Sequence, residues 1–346
     1  PPPPPPPPPP TPRDSIRRQR QMCIRDRAMA MGCEEVLSDK IVNGLLITKY
    51  QHTTPGQLSH KWQIIESAHP VPDQQSLKAG QALLDFINRP EHNEHPILFL
   101  ISGGASALVE VLAEEHDFMT LEKVNDWLLA SGLAIHQVNQ VRKKISQIKG
   151  GKLLSHLQNR NVHALLISDV EGDHPHVIGS GLLFPDNGPG DELVLPGWLE
   201  AIVSSSEKKY NDKIENVAHQ VVASNQHARQ AIQQAINESG RDIFLHDEFL
   251  AGDAAGTGRE LASYLINEAP PGVHVWGGET TVQLPQMPGR GGRNQHLALA
   301  AAVALEGNHN ITLLAAGTDG SDGPTEDAGA IVDGGTLSRG NLSGLD

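Results

Sequence analysis

The chain has 346 residues, which is enough for two domains of about 150 residues each. Its 41 acidic residues outnumber its 27 basic ones, and this net charge of −14 argues against non-specific binding of nucleic acid, which needs a basic face. We expect no membrane partner, since no run of about 18 apolar residues and no secretory signal occurs. Cys23 and Cys33 cannot form a disulfide framework, and they favour a reducing cytoplasm as the location.

The first 27 residues form a tail that differs from the rest of the chain. Ten prolines precede an arginine-rich stretch that has neither a helical period nor a strand alternation. One interpretation is a polyproline spacer with a basic interaction segment. We favour the other, a disordered and artefactual stretch, because residues 22–27 read like translated sequencing adapter. The chain ends abruptly at Asp346, after a loop-like stretch at residues 338–344, so we expect truncation at both ends.

Strands and helices alternate from residue 28 onwards. Single helices between strands indicate βαβ units, so the predicted fold class is α/β with a parallel sheet. We predict a Rossmann-like domain over residues 28–269 and a smaller α/β domain over residues 270–346, divided at Pro270-Pro271. The predicted strands are residues 44–49, 96–101, 162–167, 219–223, 242–245, 273–276, 281–284 and 311–316. The predicted helices are residues 28–37, 76–87, 105–113, 121–131, 136–148, 226–238, 258–267 and 294–305.

A turn rich in glycine and serine follows the predicted strand at residues 96–101. In a parallel sheet, this is where the amino-terminus of the next helix offers free N–H groups to an anion. The alternative is a tight turn that uses glycine for its geometry alone. It is not a P-loop, because the pattern Gly-x-x-x-x-Gly-Lys-Ser/Thr is absent from the chain. The candidate anion-binding residues are Ser102, Gly103, Gly104 and Ser106.

Two further segments of the predicted first domain carry charge. Asp169 comes directly after a buried strand and is expected to face the crevice at the carboxyl ends of the strands, although an Asx turn or a helix cap is the alternative. The helical segment that ends at residue 151 carries basic side chains near its carboxyl-terminus. By default these side chains complement the helix dipole, and they are also a candidate for steering an anionic substrate. The segment at residues 252–258 imitates a dinucleotide fingerprint but lacks its spacing, so we interpret it as structural.

Residues 277–325 combine small residues with acids and arginines, and we interpret them as the floor of a site for a phosphorylated ligand. Glycine lets backbone N–H groups approach an anion, and a guanidinium can hold a phosphate by two hydrogen bonds. Of Asp319 and Asp322, which share one tight loop, at least one is expected to hold Mg²⁺. The other candidate residues of this segment are Gly277, Gly278, Glu279, Gly291, Gly292 and Arg293.

Seven motifs, taken in chain order, resemble those of the glycerate 2-kinase family, whose carboxyl-terminal part is the MOFRL domain. They are residues 69–73, 102–106, 141–151, 168–173, 277–281, 291–294 and 317–325. The resemblance implies an active site in a cleft between a Rossmann-like domain and an incomplete MOFRL domain. It implies transfer of the ATP γ-phosphate to the 2-hydroxyl of D-glycerate, assisted by Mg²⁺. The implied functional residues are Asp169, Glu279, Arg293 and Asp319, with Asp169 and Asp319 as metal ligands.

One departure from the family pattern matters for activity. The family carries a glycine-rich segment with a catalytic lysine directly before the helix near Ala28, whereas residues 25–27 here are Arg-Asp-Arg. We therefore expect impaired catalysis in this chain. Two alternatives to the kinase stay open, namely an NAD(P)H-dependent hydroxypyruvate reductase and a catalytically inactive ligand-binding fragment. The absence of a Gly-x-Gly-x-x-Gly fingerprint argues against the reductase.

Overall fold

The computed structural model describes residues 25–53, 56–90, 95–157, 160–186, 188, 190–206, 217–285 and 287–344. Most of the predicted tail lies outside these residues. No helix within them is long and apolar enough to cross a membrane. The described residues divide into two compact units, one up to Ser224 and the other from Asn225 onwards. The predicted boundary at residue 270 falls inside the second unit, so as a division between family domains it stays a prediction.

The first unit alternates helices and strands, as the sequence predicted. Helices with a buried face lie between short apolar strands along the chain, which is the order that βαβ units produce. In chain order the elements are α1 (Arg25–Leu37), β1 (Gly44–Lys49), β2 (Trp62–Ser67), α2 (Gln74–Ile87), β3 (Ile97–Ser102), α3 (Ala105–Leu108), α4 (Phe118–Ala130), α5 (Ile135–Ile145), β4 (Val162–Ile167), α6 (Gly197–Ser206) and β5 (Ala218–Ala223).

The strands of the first unit form two parallel sheets. One pairs β1 with β2, and the other has the order β3-β4-β5. In the second sheet Ser102, the last residue of β3, lies beside Ile167, the last residue of β4. The loops that follow these two strands therefore leave the sheet at the same edge.

Two apolar cores stabilise the first unit. The larger core lies against the three-stranded sheet and includes the fully buried Leu166, Ile148 and Leu153. The smaller core is formed by α4, α5 and α6, where Val124 and Leu199 have no exposed surface. Burying each such side chain contributes about 1.5–3 kcal/mol relative to exposing it.

The second unit contains both parallel and antiparallel pairing. Strand β7 (Val273–Thr281) lies parallel to β6 (Ile243–Asp253), while β9 (Gly329–Asp333) lies antiparallel to β8 (Thr312–Ala316). Small side chains let α8 (Ala254–Asn267) and α9 (Arg293–Ala304) approach closely, because a Cβ on Gly258 would lie 2.2 Å from the carbonyl oxygen of Leu297. The elements are α7 (Asn225–Glu238), β6 (Ile243–Asp253), α8 (Ala254–Asn267), β7 (Val273–Thr281), α9 (Arg293–Ala304), β8 (Thr312–Ala316), β9 (Gly329–Asp333) and α10 (Thr336–Leu342).

Several predicted elements have different bounds in the structure. The predicted helix at residues 105–113 ends after Leu108, because Val109 adopts an extended backbone. The predicted strand at residues 273–276 is present and continues through Thr281 as β7, whereas the predicted second strand at residues 281–284 was wrong, because residues 282–284 form no strand. The sequence analysis missed β2, α6, β9 and α10.

Candidate active site

The glycine and serine turn after β3 is held by side-chain hydrogen bonds within the first unit. The hydroxyl of Ser102 donates to the carboxylate of Asp26 in the first turn of α1. The hydroxyl of Ser106 lies 2.7 Å from that of Ser180, so the two share a hydrogen bond. The helix that follows the turn has only four residues. Its dipole is correspondingly small, so the predicted anion site has weaker support than a full helix would supply.

Asp169 lies directly against this turn. A Cβ built on Gly103 would lie 2.1 Å from both carboxylate oxygens of Asp169, so the carboxylate occupies the space above the glycine. The two residues meet because β3 and β4 are neighbouring parallel strands whose carboxyl ends are aligned. The structure thus brings together two predicted site elements of the first unit, and Gly103 is needed there for this close approach.

The basic side chains around the end of α5 serve the fold. Lys152 donates from Nζ to the carbonyl oxygens of Lys143 at 2.8 Å and of Ser146 at 2.5 Å, which caps the helix carboxyl-terminus. Lys149 forms a buried ion pair with Glu110. Burial lowers the pKa of Arg142, and the nearby Glu110 partly opposes this shift. These contacts favour the dipole-complement interpretation over a role in steering a substrate.

In the second unit, Arg293 and Glu279 form an ion pair. The Nη1 atom of Arg293 donates to Oε1 of Glu279 at 2.7 Å, and both side chains retain exposed surface. Arg293 is the first residue of α9, one residue before the predicted start of that helix, and Glu279 lies near the end of β7. The guanidinium is thereby oriented while part of its donor set stays accessible to a ligand.

Asp322 caps the amino-terminus of α9. Its Oδ1 accepts hydrogen bonds of 3.1 Å from the backbone N and from the side-chain amide of Asn294, and its Oδ2 accepts one of 2.7 Å from the backbone N of Gln295. A Cβ on Gly292 would lie 2.4 Å from the Asp322 side chain, so this glycine leaves room for the cap. Asp322 is buried and committed to the helix, which leaves Asp319 as the better metal ligand of the pair.

Asp319 is half-buried in the loop between β8 and β9. From the described residues its Oδ1 accepts only a long hydrogen bond of 3.5 Å, from the backbone N of Ser321. No group of three or more potential metal ligands occurs within the described part of the chain. Mg²⁺ is nevertheless often held by one or two carboxylates, with water and substrate phosphates completing its shell. A single half-buried carboxylate fits such a site.

The glycines at positions 277 and 278 have a different setting from the one predicted. They lie inside β7, not in a loop beyond it, and a Cβ on Gly278 would lie 2.1 Å from the carbonyl oxygen of Leu250 in β6. A Cβ on Gly277 would lie 1.7 Å from the side-chain oxygen of Asn225. Close packing explains both glycines, and their role in binding a phosphorylated ligand stays a prediction.

Gly291 does lie in a loop, directly before Gly292 and α9. Its φ of +145° is one that residues with a side chain rarely adopt. A Cβ on Gly323 would lie 2.4 Å from the carbonyl oxygen of Gly291, so the two loops that flank the start of α9 are in close contact. Arg293, Glu279 and the Asp319 loop are therefore grouped around one helix end. The predicted meeting of this group with Asp169 stays a prediction.

The sequence analysis missed two residues that shape the first unit's turn, Asp26 and Ser180. Asp26 was assigned to the excluded tail. Ser180 lies between two glycines, and all three residues have positive φ. A Gly-Ser-Gly triplet is a signal for such a backbone, but nothing in its spacing identifies Ser106 as the partner.

Comparison with known families matches both units. The family described as a domain of unknown function (DUF4147) matches residues 26–194, and the MOFRL family matches residues 272–346. D-glycerate 2-kinase of Thermotoga maritima is 36% identical, over 89% of this chain and 76% of the relative. Glycerate 2-kinase of Pyrococcus horikoshii is 33% identical, over 92% of this chain and 76% of that relative. A relative from Agrobacterium vitis is 33% identical, over 92% of this chain and 86% of the relative. Its name, hydroxypyruvate reductase, is given without confirmation.

Solved structures agree with these relatives. The crystal structure of glycerate kinase from Thermotoga maritima superposes with a TM-score of 0.77 and 34% identity, over 92% of this chain and 79% of that one. A Pyrococcus horikoshii protein gives a TM-score of 0.68 and 30% identity, over 93% of this chain and 77% of that one. Fold and relatives together define an α/β enzyme of the phosphotransferase class that carries a MOFRL domain. The chain belongs to the glycerate 2-kinase family.

Proposed function

We propose that this protein transfers the γ-phosphate of ATP to the 2-hydroxyl of D-glycerate, giving 2-phosphoglycerate and ADP. Membership of the glycerate 2-kinase family supports the reaction class. The observation that carries the proposal is Arg293 at the start of α9, held by Glu279 and partly exposed. Phosphoryl transfer depends on positioning and charge neutralisation, which an oriented guanidinium supplies. ATP, Mg²⁺ and a cytoplasmic location belong to this proposal.

The guanidinium, not the helix backbone, is the anion-binding group at this helix end. The backbone N–H groups of Asn294 and Gln295 already donate to Asp322. Arg293 keeps donors beyond the one used by Glu279, and a planar guanidinium can hold two oxygens of a phosphate at once. We assign Arg293 to the transferring phosphate, and Glu279 to holding the guanidinium in place.

Asp169 and Asp319 are the carboxylates assigned to metal and substrate. One of them would orient the 2-hydroxyl of D-glycerate and accept its proton, and the other would hold Mg²⁺. Mg²⁺ bound there would neutralise charge on the phosphate oxygens. The contact of Asp169 with Gly103 suits either task, because it places the carboxylate directly against the turn that follows β3.

Two other functions make different predictions. A hydroxypyruvate reductase would oxidise NAD(P)H when given hydroxypyruvate, although the chain lacks the Gly-x-Gly-x-x-Gly fingerprint of dinucleotide binding. An inactive fragment would bind ATP or D-glycerate without turnover. Calorimetric titration of the 346-residue chain with each ligand, beside an NADH oxidation assay, separates these outcomes.

The direct test uses an extended chain, in which residues 28–346 are joined to the segment that precedes the matching helix in the Thermotoga maritima relative. Incubated with ATP, Mg²⁺ and D-glycerate, the extended chain is expected to form ADP and 2-phosphoglycerate, which ³¹P NMR distinguishes from the 3-phosphate. We expect the original chain to be much slower. The proposal fails if the extended chain is folded and makes no phosphoglycerate while the relative, assayed in parallel, does.

A further inference from the structure

A strained serine lies beside the glycine and serine turn of the first unit. Residues 179–181 have the sequence Gly-Ser-Gly, and all three have positive φ, with +61° at Ser180. Glycine adopts such a backbone readily, whereas a residue with a side chain is strained in it. Ser180 thus keeps a side chain where a third glycine would be less strained. Strained residues of this kind cluster at functional sites, which points to a role for the hydroxyl of Ser180.

The surrounding loops hold the backbone of this serine in place. A Cβ on Gly179 would lie 3.1 Å from Cγ2 of Ile101 in β3 and 3.2 Å from Cβ of Ala105 in α3. The carbonyl oxygen of Ser180 accepts a hydrogen bond of 3.0 Å from the backbone N of Gly150. Residues 179–181 are therefore packed against the turn that follows β3, and these contacts maintain the strained conformation.

The burial of Ser180 decides the direction of its hydrogen bond with Ser106. The two hydroxyl oxygens are 2.7 Å apart, and either atom could donate. Ser180 is only 3% exposed, and among the described residues Ser106 is the hydrogen-bond partner of its side chain. If Ser106 donated, the proton of Ser180 would be buried without an acceptor, which is costly. We infer that Ser180 donates and that Ser106 accepts.

Ser106 then keeps its own proton for another partner. It retains exposed surface, and within the described part of the chain its side chain bonds only to Ser180. A hydroxyl that accepts one hydrogen bond is a stronger donor in the next. Ser106 also follows Gly103 in the same turn, and the carboxylate of Asp169 lies against that glycine. An anion that binds beside this carboxylate needs hydrogen-bond donors, because the two negative charges repel each other.

We propose that Ser180 is a positioning residue of the phosphoryl transfer. Its hydroxyl orients the hydroxyl of Ser106, which donates a hydrogen bond to an anionic oxygen of a substrate. This oxygen belongs to the carboxylate of D-glycerate or to a phosphate of ATP. The donor is a side-chain hydroxyl, so the argument does not need the dipole of the short helix α3. The inference rests on the proposed function and adds to it a residue that acts through Ser106.

Ser180→Gly separates the role of the hydroxyl from that of the backbone. Glycine relieves the positive φ and so offsets the lost hydrogen bond, and the thermal midpoint should stay within about 2 °C of the parent's. Because Ser106 is no longer oriented, the KM of one substrate should rise at least about fivefold, while kcat changes less than about twofold. ADP formation by the extended chain is measured with D-glycerate and ATP varied in turn. The substrate whose KM rises supplies the anionic oxygen.

Ser180→Ala is the matched variant, because it removes the same hydroxyl but keeps the strained backbone. It should raise the same KM as Ser180→Gly and have the lower thermal midpoint of the two. Ser38→Gly is the control, since Ser38 is an exposed serine with a φ of +46° in the segment between α1 and β1. This control should keep the kinetic constants of the parent.

Ser106→Ala shows whether Ser180 acts through Ser106. The single variant should raise the same KM at least about tenfold, because a hydrogen bond to a charged group is lost. Adding Ser180→Gly to Ser106→Ala should raise this KM no further, since the two hydroxyls act as one unit. If the two effects on KM multiplied, Ser180 would act independently of Ser106 and the proposal would be overturned.

The parent extended chain separates this inference from the proposed function. If the parent makes no phosphoglycerate, the proposed function fails and this inference fails with it. If the parent is active and Ser180→Gly keeps both KM values, the inference alone is overturned, and Ser180 serves only the fold. If Ser180→Gly does not fold, Ser180→Ala decides the question by the same two KM values.

Discussion

The guanidinium of Arg293 donates to the carboxylate of Glu279 across 2.7 Å, from the first residue of α9 to the end of β7. Each side chain is partly exposed, at 29% and 44%. A surface ion pair of this kind contributes only about 0–1 kcal/mol to stability. We therefore expect the ion pair to matter mainly because it orients the arginine. Substitutions in the pair should change the reaction rate and have little effect on folding.

Replacing Arg293 by lysine should lower kcat of the extended chain about a hundredfold or more and leave its thermal midpoint nearly unchanged. Lysine keeps the positive charge but loses the planar pair of donors that holds a phosphate. Glu279→Gln should have a smaller effect, because it weakens only the orientation of the guanidinium. Arg290→Lys serves as the matched control in the same glycine-rich segment. Unchanged turnover in Arg293→Lys would remove Arg293 from the site.

Gly103→Ala should lower kcat of the extended chain at least about tenfold, since misplacing a catalytic group by 1 Å can cost a hundredfold. The added Cβ would lie 2.1 Å from both carboxylate oxygens of Asp169 and must displace them. Gly32→Ala is the control, because nothing lies within 4 Å of its Cβ. The rate of ADP formation and the thermal midpoint are measured for both. Normal turnover in a folded Gly103→Ala protein would count against a catalytic Asp169.

Asp322→Ala should lower the free energy of unfolding by about 1–3 kcal/mol, because it leaves the amide groups of Asn294 and Gln295 without their buried acceptor. Urea unfolding followed by circular dichroism measures the change. The exposed Asp327 gives the control Asp327→Ala, which should be nearly neutral. An unfolding free energy that does not fall in Asp322→Ala would contradict the cap and return Asp322 to the candidate metal ligands.

The alternation of apolar runs and amphipathic segments was enough to predict the α/β class and most of the parallel strands. It failed where tertiary contacts decide the outcome. The helix that begins at Ala105 ends at Leu108, because Val109 has an extended backbone. The apolar pattern continues past Leu108, so it does not show where the helix ends. Strand β2 has weak alternation and was missed, since its pairing with β1 is a long-range contact.

The candidate site was predictable in its residue types but not in its hydrogen bonding. The pattern placed Arg293 at a helix start and Asp319 with Asp322 in one loop. It could not tell which aspartate caps the helix, because the cap comes from a loop distant in sequence. Gly278 was interpreted as part of a ligand loop, whereas its place beside Leu250 reflects strand packing that only the sheet register shows.

Glu110→Gln should lower the free energy of unfolding by about 3–5 kcal/mol, because it leaves the buried charge of Lys149 unpaired. Replacing both residues by apolar ones, Glu110→Leu with Lys149→Met, should cost much less. The partly exposed pair of Lys143 with Asp186 gives the control Lys143→Gln, with an expected change of about 0–1 kcal/mol. Urea unfolding measures all three. If the double variant lost as much stability as the single one, the charge argument would be wrong.

A stacked histidine pair in the second unit should make stability depend on pH. Nε2 of His246 lies 3.0 Å from Nδ1 of His274, and Nε2 of His274 lies 2.9 Å from the carbonyl oxygen of Pro270. Because a carbonyl oxygen can only accept, Nε2 of His274 donates to Pro270. Burial lowers the pKa of His246, helped by His274 and Arg229 and opposed by Glu248.

Because its folded pKa lies below the ordinary value of about 6.5, the unfolded chain binds the proton more tightly. The stabilising contribution of neutral His246 is thus complete above about pH 6.5 and is lost as the pH falls toward the folded pKa. His246→Phe keeps a ring against Trp276 and cannot titrate, so its thermal midpoint should fall less than that of the parent between about pH 7.5 and 5.5. His309→Gln, at an exposed position, should keep the parent dependence. Equal slopes for His246→Phe and the parent would assign the acid sensitivity to other groups.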